Sequence, residues 1–201
     1  MKQIILTLIV FFSLTSCTRI LVKFYGLKNP EIEKYTSLSK YALKKNMNME
    51  GNIYAPKDSI NFYHFKNFFF VPDAIIFNAN GHFVDYRETP ESCNAGIDAF
   101  IKGLATNDTL NIDDTTLASD LLERLIMLPN KQAVTFDGSY DYTIVMTWIK
   151  WIGKTTPDHI IPWQESIAKA ESDGLKIRTL YLNLDYQDYM GFDIALETEF
   201  K

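Results

Sequence analysis

The chain offers few residues of the kind that do covalent or metal chemistry: two cysteines, Cys17 and Cys93, and three histidines, His64, His82 and His159. A thiol reacts as its thiolate, so its surroundings decide whether it is a nucleophile or a small apolar residue. Cys93 lies in Thr89-Pro90-Glu91-Ser92-Cys93-Asn94, at the start of an expected helix. The helix dipole there favours a thiolate, Glu91 opposes it, and no Lys, Arg or His is adjacent. A small buried residue at a helix start is the favoured reading of Cys93, with a reactive thiol as the alternative. The histidines stand apart, and no pair has the spacing of a helical zinc site. His159, after Asp158 at a helix start, reads as a solvated polar residue. Asp113-Asp114 and Asp137-Gly138 lack the ligand spacing of a calcium loop and read as a helix cap and a turn. There is no Gly-rich phosphate loop and no nucleophile elbow. These residues point away from an enzyme and imply no metal and no cofactor.

The elements that would position these residues follow from pattern. Thr18 to Lys28 reads as a tether or a first strand, broken by Asn29-Pro30. A helix fits Ser37 to Lys45, a short strand Asn52 to Ala55, and a short helix or aromatic loop Ser59 to Phe68. Ala74 to Phe77 and His82 to Tyr86, joined by Asn78-Ala79-Asn80-Gly81, predict a hairpin, because Asn and Gly tolerate positive φ. Pro72 suits a strand start. A helix follows from about Asn94 to Leu104, then a polar connector over 105–114. Leu117, Leu121, Leu122, Leu125 and Leu128 predict a helix from Thr115 to Leu128. The last third reads β-α-β: an apolar strand Tyr142–Ile149, a helix from Thr156-Pro157 to about Ser172 kinked at Pro162, and a strand Leu175–Leu184. A connection of that length implies parallel strands with a right-handed crossover.

The first residues resemble a bacterial lipoprotein signal peptide. Met1-Lys2 precedes an apolar run from Ile4 through Leu14. Such a run suits a signal-peptide core and falls short of the roughly 20 residues that span a bilayer. Leu14-Thr15-Ser16-Cys17 resembles the lipobox, in which the cysteine is lipidated (palmitate among its acyl chains) and becomes the new N-terminus. The alternatives are an ordinary signal peptide with a chance cysteine, or a buried N-terminal strand. The resemblance implies a signal peptide over 1–16, a domain over 17–201, and a membrane anchor through lipid on Cys17. It places the protein in the cell envelope, facing the periplasm, at the outer rather than the inner membrane. With Cys17 acylated, Cys93 is the one remaining thiol, which excludes a dithiol cycle within the chain.

Removing residues 1–16, with one Lys and no acid, leaves 19 basic and 25 acidic residues, a formal charge of −6. An acidic domain without a basic cluster repels phosphate backbones, so nucleic acid is not an expected partner. Fourteen Phe, eleven Tyr and three Trp supply ample core surface for a single domain.

Two stretches resemble the thioredoxin-like superfamily. Thr143 to Thr155, with Trp151-Ile152-Gly153-Lys154-Thr155, is similar to that family's first core strand and active-site turn, where Trp-Cys-Gly-x-Cys opens a helix. Pro162-Trp163, the helix, and the strand ending Tyr181-Leu182-Asn183-Leu184-Asp185 resemble the rest of its β-α-β. Val71-Pro72, the hairpin and the following helix resemble its C-terminal half, where the proline is cis and borders the active site. In this chain Ile152 and Thr155 stand where the cysteines would be, and the helix proline falls two residues late. The half that should come second comes first. The resemblance implies an α/β fold, a thioredoxin-like sandwich with a mixed central sheet and helices on both faces. The chain is then a permuted domain, or each half builds a related βα unit in one larger sheet. Trp148, Trp151 and Trp163 bracket the turn; Trp148 reads as core, and Trp151 as core or as part of a partner-binding surface. The expected function is a non-redox domain that binds an envelope protein or peptide. The alternatives are a single-thiol redox protein acting through Cys93 and a purely structural α/β lipoprotein.

Overall fold

The computed structural model describes residues 22–87, 89, 94–106 and 109–192. Cys17, the segment before it and Cys93 lie outside the described residues. A helical turn over 22–25 precedes α1 (Tyr35–Lys44), β1 (Ile53–Pro56), α2 (Ser59–Phe68), β2 (Asp73–Asn78), β3 (His82–Asp85) and α3 (Ile97–Gly103). Then follow β4 (Asn111–Leu117), α4 (Ala118–Leu122), β5 (Leu125–Met127), β6 (Gln132–Ala133), β7 (Tyr142–Trp148), α5 (Thr155–Ser172) and β8 (Ile177–Asn183).

The strands form one mixed sheet in the order β4-β3-β2-β7-β8-β1-β5-β6. β7 and β8 are parallel, with Tyr142 opposite Ile177 and Trp148 opposite Asn183. β1 joins β8 in parallel, and β2 joins β7 antiparallel, with Asp73 opposite Thr147 and Asn78 opposite Tyr142. All seven residues of β7 are buried because both faces of the sheet are covered. Alternation sends Ile144, Met146 and Trp148 to one face, with Leu38 of α1, Ile97 and Ile101 of α3, and Ile160, Trp163 and Ile167 of α5. Val145 goes to the other face, with Phe65 of α2 and Leu121 and Leu122 of α4. Each such apolar side chain contributes roughly 1.5–3 kcal/mol by leaving water. α3 packs against α5, so the helix after the hairpin lies beside the helix of the parallel unit.

The hairpin turns where its sequence predicts. Asn78 Oδ1 accepts from the amides of Asn80 and His82 at 3.0 Å each, and Gly81 takes φ +80°.

Several expectations give way. Residues 18–28, expected as a tether or a first strand, form where described the helical turn over 22–25 and no strand. The polar connector over 105–114 gives way at Asn111 to β4, which pairs with β3 through Ile112 opposite Val84 and Asn111 opposite Asp85. The helix expected over Thr115–Leu128 shrinks to the five residues of α4 between β4 and β5. The leucine spacing suits a helix locally. But Leu125, opposite Pro56, lies in a strand that a distant edge recruits, and periodicity cannot see that edge. The helix expected from Thr156-Pro157 begins one residue earlier, at Thr155. Lys154 is its N-cap, and the Thr156 hydroxyl, fully buried, donates to the carbonyl of Ile149 at 2.5 Å. The helix continues past Pro162 to Ser172.

Candidate functional site at the strand ends

β7 and β8 end side by side, and the segments leaving them meet the prolyl start of β2. The turn 151–154 leaves β7 here and leads into α5. Gly153 has φ +63°, and a Cβ built on it would lie 2.2 Å from the carbonyl oxygen of Tyr25. Tyr25 O accepts from the amide of Lys154 at 2.8 Å, and the amide of Lys28 donates to Trp151 O at 2.9 Å. The Tyr41 hydroxyl donates to Gly153 O at 2.8 Å while its ring stacks on Trp148, with centroids 6.2 Å apart. Burial, with Asp185 and Asp158 adding to it, pushes the Tyr41 phenol up to about 12, so it stays a donor. The chain's own residues 25–28 therefore lie across the backbone of the turn. Trp151 and Ile152 pack half-buried against the α2/α4 face of the sheet, Lys154 is exposed, and Thr155 opens the helix. Thr155 O contacts His159 Nδ1 at 2.8 Å, and the half-buried imidazole lies edge-on to Trp163. His159 keeps partial exposure on the helix surface while making these contacts.

One residue before the turn lies an ionic cluster that pattern reading missed. Lys150 Nζ is 2.5 Å from Glu33 Oε1 and 3.0 Å from Ser37 Oγ, and Lys150 N donates to Asp185 Oδ2 at 2.8 Å. Asn183 Nδ2 donates to the same Asp185 oxygen at 2.7 Å, and Gln187 Nε2 donates to Asn183 Oδ1 at 2.7 Å. A backbone bridge between Glu33 and Gln187 ties Glu33 to the same network. Two buried carboxyls share one cation, and Lys150 spends its ammonium on Glu33. Burial pushes Asp185 up to about 7, against the smaller pull of the Asn183 and Lys150 hydrogen bonds. Asp185 is 1% exposed, so its proton stabilises the fold rather than serving a diffusing substrate.

A third buried carboxyl, Asp73, stands at the start of β2. The Val71–Pro72 peptide before it is cis. Asp73 N donates to Thr147 Oγ1 at 2.8 Å, and that hydroxyl donates onward to Phe70 O at 2.9 Å. The Asp73 side chain accepts from Ala74 N and Tyr86 Oη at 2.8 Å each and pairs with Arg87 at 3.3 Å. Burial raises its pKa; the Tyr86 and Ala74 hydrogen bonds and the Arg87 charge oppose that rise. Asn94 Nδ2 donates to Pro72 O. This ties the residue after Cys93 to the same end of the sheet, while Cys93 itself lies outside the described residues. Phe70, 73% exposed, projects beside this start.

No family model, no curated protein and no solved structure matches this chain. At the turn, Ile152 and Thr155 offer no sulfur. Asp113 binds the hydroxyls of Thr115 and Thr116 within the edge strand β4, not at a helix cap as expected. Asp137 accepts from Ser139 N in a turn. Among the described residues no group of three or more His, Cys, Asp or Glu is placed to hold a metal. No described helix is long and apolar enough to cross a membrane. Two features combine at this end: a turn without sulfur that residues 25–28 cover, and the exposed Phe70 beside the start of β2.

Of these residues, Lys150, Glu33, Gln187 and Asp73 were not singled out in the sequence. A polar alternation, Asn183-x-Asp185-x-Gln187, straight after an apolar strand was the available sign of a buried network. Its partners, Lys150 and Glu33, are too far away in the chain for pattern to join them.

Proposed function

We propose that the chain is a lipoprotein held at the bacterial cell envelope by lipid on Cys17. Its domain is a thioredoxin-like unit in permuted order that binds a protein or peptide partner without dithiol chemistry. The observation that carries this reading is the strand order β3-β2-β7-β8 around the parallel β7-α5-β8 unit. A thioredoxin-like unit read in the order β7, α5, β8, β2, β3, α3 has this sheet, with the turn before α5 close to the prolyl start of β2. The replacement of both sulfurs by Ile152 and Thr155 supports binding over redox cycling. Exposed Phe70 gives the partner an apolar anchor.

The test uses the full chain expressed in a bacterial host. A photo-crosslinking residue at Phe70 should capture a discrete envelope protein that the same residue at Asn80, on the hairpin turn, does not. Identical capture from both positions sinks the partner reading. Intact mass of the membrane-extracted protein should show the acyl addition and the loss of residues 1–16, and Cys17→Ala should abolish both.

A second reading, a single-thiol redox protein using Cys93, is favoured by the Asn94–Pro72 hydrogen bond. It requires fast alkylation of the native protein with a midpoint below the free-thiol value of about 8.5. Labelling only on unfolding removes it.

A further inference from the structure

All 25 acidic residues lie beyond residue 30, whereas the first 30 residues carry Lys2, Arg19, Lys23 and Lys28 and no acid. The structure extends this asymmetry. Phe24 and Tyr25 are 61% and 40% exposed and pack edge to face, with centroids 5.2 Å apart. Lys154, brought from the turn before α5, lays its ammonium over the Phe24 ring at 5.0 Å from the centroid. Lys23 and Lys28 are exposed on either side. Two backbone hydrogen bonds and the close approach at Gly153 fix this group to the strand ends, so it is part of the folded domain. Exposed aromatics ringed by lysines, on a chain otherwise acidic, match the apolar and anionic layers of a phospholipid surface. Distance agrees: Cys17 precedes Phe24 by seven residues, which span at most about 25 Å. An anchor at Cys17 therefore holds this patch within reach of the bilayer.

We propose that Phe24, Tyr25, Lys23, Lys28 and Lys154 form a second membrane contact, seated on anionic phospholipid, that points the strand ends toward the bilayer. The inference rests on the Cys17 anchor for its geometry. It identifies the partner of the strand-end site as a protein at or in the membrane surface, because a partner reaching only into the aqueous space would meet the opposite end of the sheet. That end, with the hairpin turn, lies about 20 Å away along the seven residues of β7.

The test uses the full chain, purified from membranes in a Cys93→Ser background, with intact mass read first. The acylated protein, carrying a fluorescent probe at Asn29→Cys or at Asn80→Cys, is placed in vesicles containing brominated phospholipid, with or without phosphatidylglycerol. The expected result is quenching at position 29 only, dependent on phosphatidylglycerol, and lost in the Lys23→Glu/Lys28→Glu/Lys154→Glu variant. Equal quenching at both positions, or quenching at 29 indifferent to lipid charge and to the triple variant, overturns the proposal. So does absence of quenching at 29 with the protein still vesicle-bound, the result expected if the patch serves a protein instead. If the mass shows no acyl chain, the anchor reading fails by itself. The unlabelled chain then answers by sedimentation with the same lipids unbrominated. Affinity for anionic over neutral vesicles that falls about a hundredfold in the triple variant upholds the patch, and no such fall overturns it.

Discussion

At the scale of single residues, the most consequential arrangement is one cation set against two buried carboxyls. Lys150 satisfies Glu33, and Asp185 is pushed up to about 7, chiefly by burial. The sign of the resulting pH dependence is fixed. Below the ordinary carboxyl value near 4, folded and unfolded chains both hold the proton. Between about 4 and 7 the unfolded chain releases a proton that the folded chain keeps, so stability falls as pH rises, by up to about 4 kcal/mol. Asp185→Asn keeps an acceptor for the Lys150 amide but cannot titrate. Urea unfolding at pH 5 and at pH 7.5 should show a smaller difference in that variant than in the parent; equal differences would refute the assignment. Gly153 provides a second residue-scale test. Gly26→Ala meets nothing within 4 Å and suffers only its positive φ, whereas Gly153→Ala also meets the Tyr25 carbonyl. Gly26→Ala should lose about 1 kcal/mol and Gly153→Ala at least ~2 kcal/mol more. Equal losses would mean that the segment 25–28 does not stay on the turn in solution.

At the scale of elements, the sheet sorts its strands by what covers them. β7 is buried throughout, and β4, at the edge, exposes most of its residues and carries Asp113 and Asp114. Charge on an edge strand discourages pairing with a second molecule. Ile112, 46% exposed, is an apolar exception there, and Ile144 in β7 is fully buried. Ile112→Lys should change unfolding free energy by less than about 0.5 kcal/mol while lowering aggregation on heating. Ile144→Ala should lose about 2–5 kcal/mol, since it leaves a cavity between β7 and the helices. Denaturant melts and light scattering on both variants check this contrast. The misread stretch over 105–128 belongs to this scale. Thr115, Thr116 and the leucines after them have intrinsic preferences weak enough for pairing with β3 and β1 to decide.

At the scale of the whole molecule, the two apolar clusters lie on opposite faces of the same strands, and neither can form without β2, β7 and β8. Unfolding should therefore be a single transition. Indole fluorescence samples both faces, Trp148 and Trp163 on one and Trp151 on the other, and should coincide with far-ultraviolet circular dichroism along a urea titration. Two separated midpoints would show that the halves fold as independent units. The first-half hairpin and the second-half parallel pair are one body, joined through the six-residue register of β2 with β7.

Much of the architecture was legible because its causes are local. The hairpin at Asn78–Gly81 follows from residues that tolerate its turn, the β-α-β of the last third from apolar runs and a helix of the right length, and the burial of Trp148 from its place in an apolar strand. The position of Pro72 before β2 and the absence of sulfur at the turn could also be read directly. Tertiary structure decided what depends on groups distant in the chain. It alone placed Lys150 against Glu33, 117 residues away, and laid residues 25–28 across the turn at Gly153. It also drew β4 and β5 out of an apparent helix. Local preference amounts to tenths of a kcal/mol per residue, whereas pairing a strand or a buried charge is worth several times that; where the two compete, the distant partner wins, and a linear sequence does not name it.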